Sequence, residues 1–393
     1  NNNQAVTVTG VNDSNQDGHQ DYEISLSAAG HEIDDDPVVT TIAGSSSGST
    51  DATGTSASFN NPIGITTDGT NIYVVDKGNH IIRQIVISTG VVTTIAGSTQ
   101  GTTDGTGTSA KFDTPQGITT DGTNLYVSEY FHRIRKIVIS TGVVTTLAGS
   151  SSGGYADHNT GTSAKFKNPQ GITTDGTNLY VADTHNHRIR QIVISTGVVT
   201  TLAGEVHGGN TDATGTSASF NQPMGITTDG TNLYVAEYGN HRIRKIVIST
   251  GVVTTFAGNS EGATDHNTGT SASFNKPTGI TTDGTNLYVV DNGNHRIRKI
   301  VISSGAVTTL AGSSSGSIDA TGTSSSFNGP RKITIDGTNL FITDFSNHRI
   351  RKIALRETET ANLTLHNLDD DLNVTVNVAS SNTSEATVSP ATL

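Results

Sequence analysis

The chain has 393 residues, of which 32% are apolar and 15% charged; it has 44 glycines, no cysteine and a formal net charge of −12. That length allows a large core or two to three domains. The lack of cysteine excludes disulfides and thiol chemistry, and no apolar run is long enough for a helical membrane span. The negative charge sits at the ends: residues 1–37 hold eight acidic residues and no Lys or Arg, and residues 356–393 hold six acidic residues against Arg356, so residues 38–355 are close to neutral at +1.

Residues 1–37 read as an alternating strand (AVTVTGV), a polar turn (NDSNQDGHQD) and a second strand (YEISLSA), a hairpin too small to be stable alone. In the turn, Asp13, Asn15, Asp17, His19 and Asp21 occupy positions 1, 3, 5, 7 and 9 of a D-x-N-x-D-G calcium loop, with Gly18 at the bend and a backbone carbonyl from His19. They are candidate calcium ligands. Position 12 is Ile24 where a bidentate Glu is usual, so Glu23 or an outside carboxylate must complete the site; the competing reading is a solvated acidic turn.

VVTTIAG at Val38–Gly44 follows, and then a unit opens at Pro62, Pro115, Pro169, Pro223, Pro277 and Pro330, a period of 53 or 54 residues. Such a period predicts radial or linear stacking of small sheets. In the copy from Pro223, GITT, LYVAE, RIRKIVIS and VVTTFAG read as four strands joined by the turns DGTN, YGNH and TG. Ile243, Ile246 and Ile248 break alternation, which predicts a bulge near Lys245 and its equivalents. The sixth copy runs into RETETANLTL where its fourth strand belongs. Six complete sheets result only if Val38–Gly44 closes the last one, and closure removes exposed sheet edges.

The loops before each proline repeat an Asp (Asp51, Asp104, Asp157, Asp212, Asp265, Asp319), expected to organise its turn, and a Phe (Phe59, Phe112, Phe166, Phe220, Phe274, Phe327), expected to plug the gap between sheets. The repeated histidines (His80, His132, His187, His241, His295, His348) lie one sheet apart, which favours structural hydrogen bonding over metal binding. Arg242, Arg244 and their equivalents read as a solvated or ion-paired strand face. His158, His207 and His266 stand alone in Gly-rich loops, and Tyr130, Phe131, Tyr155 and Tyr238 are scattered aromatics on the loop face.

Asn186-His187-Arg188, Asn240-His241-Arg242, Asn294-His295-Arg296 and Asn347-His348-Arg349, with Asn79-His80-Ile81 as a variant, resemble the NHL family, with the leucine of its motif replaced. The second copy departs further, with Phe131 before His132 and one residue deleted. The resemblance covers roughly residues 38–356. It implies an all-β, six-bladed β-propeller of four-stranded antiparallel blades. Related propellers include lyases and lactonases with a central metal, yet near-identical blades repeat one set of groups six times, and only Arg331 and Lys332 stand out on the inner strands; the expectation is no enzyme and no catalytic residue. A near-neutral propeller also lacks the basic field of RNA-binding relatives, so no nucleic-acid partner is expected.

The C-terminal stretch, read into the N-terminus, resembles one Calx-beta or cadherin-like β-sandwich module of bacterial surface arrays, carried by SSNTSEATVSPATL and VTVTGVNDSNQDG. The expected organisation is half a sandwich module in 1–37, the propeller in 38–356 closed by 38–44, and the other half module in 357–393. Calcium, if bound, belongs at these ends. Because a tandem module enters and exits at opposite poles, completion of the split module across subunits is expected, with Val6 and Val8 on one strand and Asn373, Val374, Thr375, Val376 and Val378 on the other. The leading function is then an extracellular or cell-surface structural protein, a head-to-tail filament of itself. The alternative is an adhesion propeller whose partners are glycans or surface proteins.

Overall fold

The computed structural model describes residues 4–8, 22–26, 37–355, 361–365 and 374–378. Two compact units divide the chain: Asp36–Leu355, and the terminal segments Asn1–Asp35 with Arg356–Leu393.

The larger unit is a six-bladed β-propeller. Blade 1 runs outward from the axis as Pro62–Thr67, Asn71–Asp76, Ile81–Val86 and Val92–Gly97, and blades 2 to 5 repeat this order from Pro115, Pro169, Pro223 and Pro277. The DGTN turns explain the tight first connection: Asp229 accepts the N–H groups of Thr231 and Asn232, and Gly230 takes φ +86°. Blade 6 takes three strands from its own repeat and its outer strand, Val39–Ala43, from the other end of the propeller; Ile353 lies opposite Val39 and Arg351 opposite Thr41. Asp319 holds that closing strand by accepting the N–H (2.9 Å) and hydroxyl (3.0 Å) of Thr41.

Apolar side chains collect between blades. The cluster joining blades 3 and 4 contains Tyr180, Ala203, Leu233 and Ile246 around Phe220, and the cluster joining blades 6 and 1 contains Ile350, Phe341, Ile72 and Ile85 around Phe59. The repeated Phe therefore fills the inter-blade gap. Ile243 packs toward blade 5 and Ile246 toward blade 3. Both faces of the third strand are covered, and this explains the lost alternation. A register shift does occur in every blade, between Ile243 and Arg244 in blade 4, but the extra residue lies on the outer strand, at Phe256. The loop preceding each blade covers that blade's outer edge, as where the Gly215 N–H donates to Gly251 O at 2.8 Å.

In the terminal unit, Gln4–Val8 pairs antiparallel with Val374–Val378, placing Val6 opposite Val376 and Val8 opposite Val374, and Tyr22–Leu26 pairs with Ala361–Leu365. The two ends thus pair within one chain. The pairs are nested, first strand with last and second with second-last. Asn373 and the calcium candidates Asp13, Asn15, Asp17, His19 and Asp21 lie outside the described residues.

Candidate functional site

Each second strand ends in a fully buried acid, Asp76, Glu129, Asp183, Glu237, Asp291 or Asp344. An equally buried arginine of the third strand meets it: Arg83, Arg135, Arg190, Arg244, Arg298 or Arg351, with Nη1 at 2.8–3.2 Å from the carboxylate. In blade 4, Arg244 Nη2 also reaches loop Asp212 at 2.6 Å, the two amino groups donate to Ser219 O and Thr211 O, and the guanidinium lies 5.1 Å over Phe220. The expectation of a solvated face is therefore wrong for Arg244 and its equivalents, which are ion-paired in the interior; Arg242 is half-buried. Asp212 also does more than shape its own turn. It accepts the Thr255 N–H at 2.9 Å and so ties the loop to the outer strand.

The motif asparagine and histidine complete the frame. Asn240 donates to Glu237 (2.6 Å) and to Gly209 O (2.7 Å). The histidines adopt φ of +56° to +74°, and each Nδ1 accepts the N–H of the residue preceding the next blade's proline, from Thr114 N–H to His80 through to Asn61 N–H to His348, at 3.1–3.4 Å. Such acceptance requires a neutral imidazole protonated on Nε2. Six inter-blade latches result, the structural role expected of these residues. His158 and His266 accept the N–H of Thr160 and Thr268 at 2.9 Å, local turn caps. Among the described residues no cluster suited to a metal occurs.

Burial pushes Asp76 and Asp183 up to about 6 against the opposing effect of their arginines and hydrogen-bond donors. Glu129 goes higher, to about 7. In the second copy Phe131 stands where the asparagine belongs, and Glu129 Oε2 has no hydrogen-bond partner.

Two positions around the axis differ from blade to blade and face the mouth. One follows the opening proline (Ile63, Gln116, Gln170, Met224, Thr278, Arg331); the other follows the buried acid (Lys77, Tyr130, Thr184, Tyr238, Asn292, Phe345). Both surround the channel mouth on the loop face. The Thr184 hydroxyl and Asn292 amide donate at 2.7 Å to Pro223 O and Pro330 O of the next blade, and Lys77 Nζ of blade 1 lies 5.8 Å over the Phe345 ring of blade 6, with Arg331 Cζ 5.0 Å from the same ring. One level deeper, glycines in five blades pack on a neighbouring carbonyl; a Cβ on Gly225 would come 2.7 Å from Thr278 O. Lys332 takes the sixth place. Its Nζ reaches into the channel to donate to Met224 O of blade 4 and Thr278 O of blade 5, leaving a cavity of about 40 Å³.

Among the described residues the positive charge at the mouth meets no carboxylate: Lys77, Arg331 and Lys332 form no salt bridge, and Arg331 Nε has no hydrogen-bond partner. Burial, then the Arg331 charge, lowers Lys77 and pushes Lys332 down to about 7; burial also lowers Arg331, opposed by Tyr238. Beside the mouth, Tyr130 packs edge-on to Phe131 (5.1 Å) and His185 (6.4 Å), and Phe131 is 42% exposed. Of the scattered aromatics, Tyr130 and Phe131 alone form a cluster, with His185. Tyr155 stacks separately on Arg188 at 3.7 Å. Sequence reasoning singled out Arg331 and Lys332 but missed Lys77, Met224 and Phe345. Aligning the six copies and asking which columns vary would have found them.

This arrangement defines a class: a six-bladed propeller whose repeated polar groups are spent on the frame, with blade-specific side chains around the channel mouth. It carries NHL repeats, with residues 166–192 and 274–300 matching that family. The chain is 29% identical over 301 residues to NHL repeat-containing protein 2 of Gallus gallus, an alignment covering 66% of this chain and 41% of that protein, so the chain spans about two fifths of that relative. Among solved structures, a protein of unknown function from Bacteroides thetaiotaomicron VPI-5482 superposes with a TM-score of 0.63 (22% identity, 81% of this chain and 76% of that one). An auxiliary nutrient binding protein of the same organism gives 0.62 (19% identity, the same coverage). At these identities the likeness concerns the fold.

Proposed function

We propose that the propeller is a non-catalytic binding module, displayed outside the cell, that takes a glycan at the loop-face mouth of its channel. One observation carries this reading: two positions that vary from blade to blade bring cations, amides and aromatic rings together at the mouth. Catalysis needs an acid and a base or metal in separate roles. The buried acids nearest the mouth are instead each bound by an arginine of their own blade. A glycan array probed with the full chain and with Phe345→Ala and Tyr238→Ala variants tests the reading; saturable binding that both variants weaken supports it, and binding indifferent to both refutes it.

A second reading, a filament of the chain with itself, is favoured by the pairing of Gln4–Val8 with Val374–Val378. The same antiparallel register can form between chains, and an exchange of this kind that does not close propagates head to tail. Electron microscopy of concentrated protein with and without residues 357–393 tests it: filaments from the full chain alone support it, and filaments from both, or from neither, refute it.

A further inference from the structure

We infer that the mouth selects an acidic sugar, a uronic acid residue whose carboxylate is taken by Arg331 and Lys77 while its ring lies on Phe345. This inference rests on the binding-module reading above and assigns its ligand class.

Two cations share one aromatic ring, Lys77 Nζ at 5.8 Å and Arg331 Cζ at 5.0 Å from the Phe345 centroid. Two like charges in a half-buried setting repel unless an anion joins them. The six fully buried arginines of the third strands are each met by two carboxylates, as Arg244 is by Glu237 and Asp212. Here the neighbouring acids are unavailable: Asp76, which precedes Lys77, accepts from Asn60, Asn79 and Arg83, and Asp344, which precedes Phe345, accepts from Asn328, Asn347 and Arg351. A guanidinium suits a carboxylate because its donors form a planar fork.

Size and charge narrow the class. Lys332 closes the channel below, leaving about 40 Å³, so a ligand rests on the mouth rather than threading through. A near-neutral propeller offers no long basic track for a polyphosphate chain. The ring of Phe345 offers a flat apolar surface to the C–H face of a pyranose, and the Asn292 amide, whose nitrogen donates to Pro330 O, keeps its oxygen for a sugar hydroxyl.

Isothermal titration of the full chain with tetragalacturonic acid and with neutral galactotetraose tests the inference. The acidic tetramer is expected to bind at least about tenfold more tightly, and Arg331→Met or Lys77→Met to remove about ten- to a hundredfold of that affinity, the scale of a charge-assisted contact. Unchanged melting of the Lys77→Met variant checks that the frame is intact. Equal binding of both tetramers, lost in Phe345→Ala, overturns the acidic class while leaving the mouth as the binding site. Binding of neither overturns the inference outright, and acidic binding unaffected by both cation variants overturns the assignment of the carboxylate to Arg331 and Lys77.

Discussion

Removing Arg244 should be among the most damaging single changes in the molecule. Arg244→Met deletes a guanidinium with no exposed surface, two carboxylate contacts (3.2 and 2.6 Å) and donors to two carbonyls. The larger effect is what remains. Glu237, fully buried, keeps only the Asn221 N–H and Asn240 amide as donors. Taking one partner from a buried ion pair costs about 3–5 kcal/mol because the other charge stays behind uncompensated. Asp212, nearly half exposed, is re-solvated cheaply, so most of the loss belongs to Glu237. Adding Glu237→Gln to Arg244→Met removes that orphan charge and should recover about half of the loss, on the order of 2 kcal/mol. Guanidinium unfolding followed by circular dichroism gives the midpoints of wild type, single and double variants. An Arg244→Met variant within about 1 kcal/mol of wild type, the scale of an exposed pair, would refute the reasoning.

Deleting residues 37–44 removes the outer strand of blade 6 and exposes an edge there, so the protein should aggregate; a monodisperse monomer by light scattering would contradict closure. The latches make acid destabilising. His80, His132 and His187 have pKa values lowered first by burial, so the stability held by their neutral rings is present above the ordinary histidine value of about 6.5 and lost as pH falls through it. A triple variant with Asn at these positions, which tolerates positive φ, should lose that pH dependence relative to wild type, measured by urea midpoints between pH 5 and 8. Glu129 has the opposite sign: with its folded value raised to about 7, its ionisation costs stability as pH rises between the unfolded and folded values. Glu129→Gln should therefore gain on wild type from pH 5 to 7 and level off above, and a flat difference would argue against burial as the cause.

The frame was legible in the sequence because repetition multiplies weak signals. Six prolines at one spacing, one VVTT strand set ahead of the first proline and six Phe sufficed to predict blades, closure and the inter-blade plug. The burial of Arg244 was not legible, because alternation rules assume one covered face and the third strand has two. Polarity then misleads, since Arg reads as surface unless its two acids are known to meet it, and Asp212 lies 32 residues away. The mouth was only half visible for a different reason: Lys77 and Phe345 touch across the join between blades 1 and 6, so no local motif contains both.

The central claim is that the unrepeated residues of the mouth receive the ligand, and Met224 makes it directly measurable, being the chain's only methionine and standing at that mouth. Hydroxyl-radical footprinting of the full chain, with and without its strongest glycan-array ligand, reads oxidation at each residue. Protection of Met224, Tyr238 and Phe345, with Phe131 weaker and Tyr155 unchanged, is the predicted result. Protection at Tyr155 or Val206 with Met224 still oxidised at its free rate would contradict it.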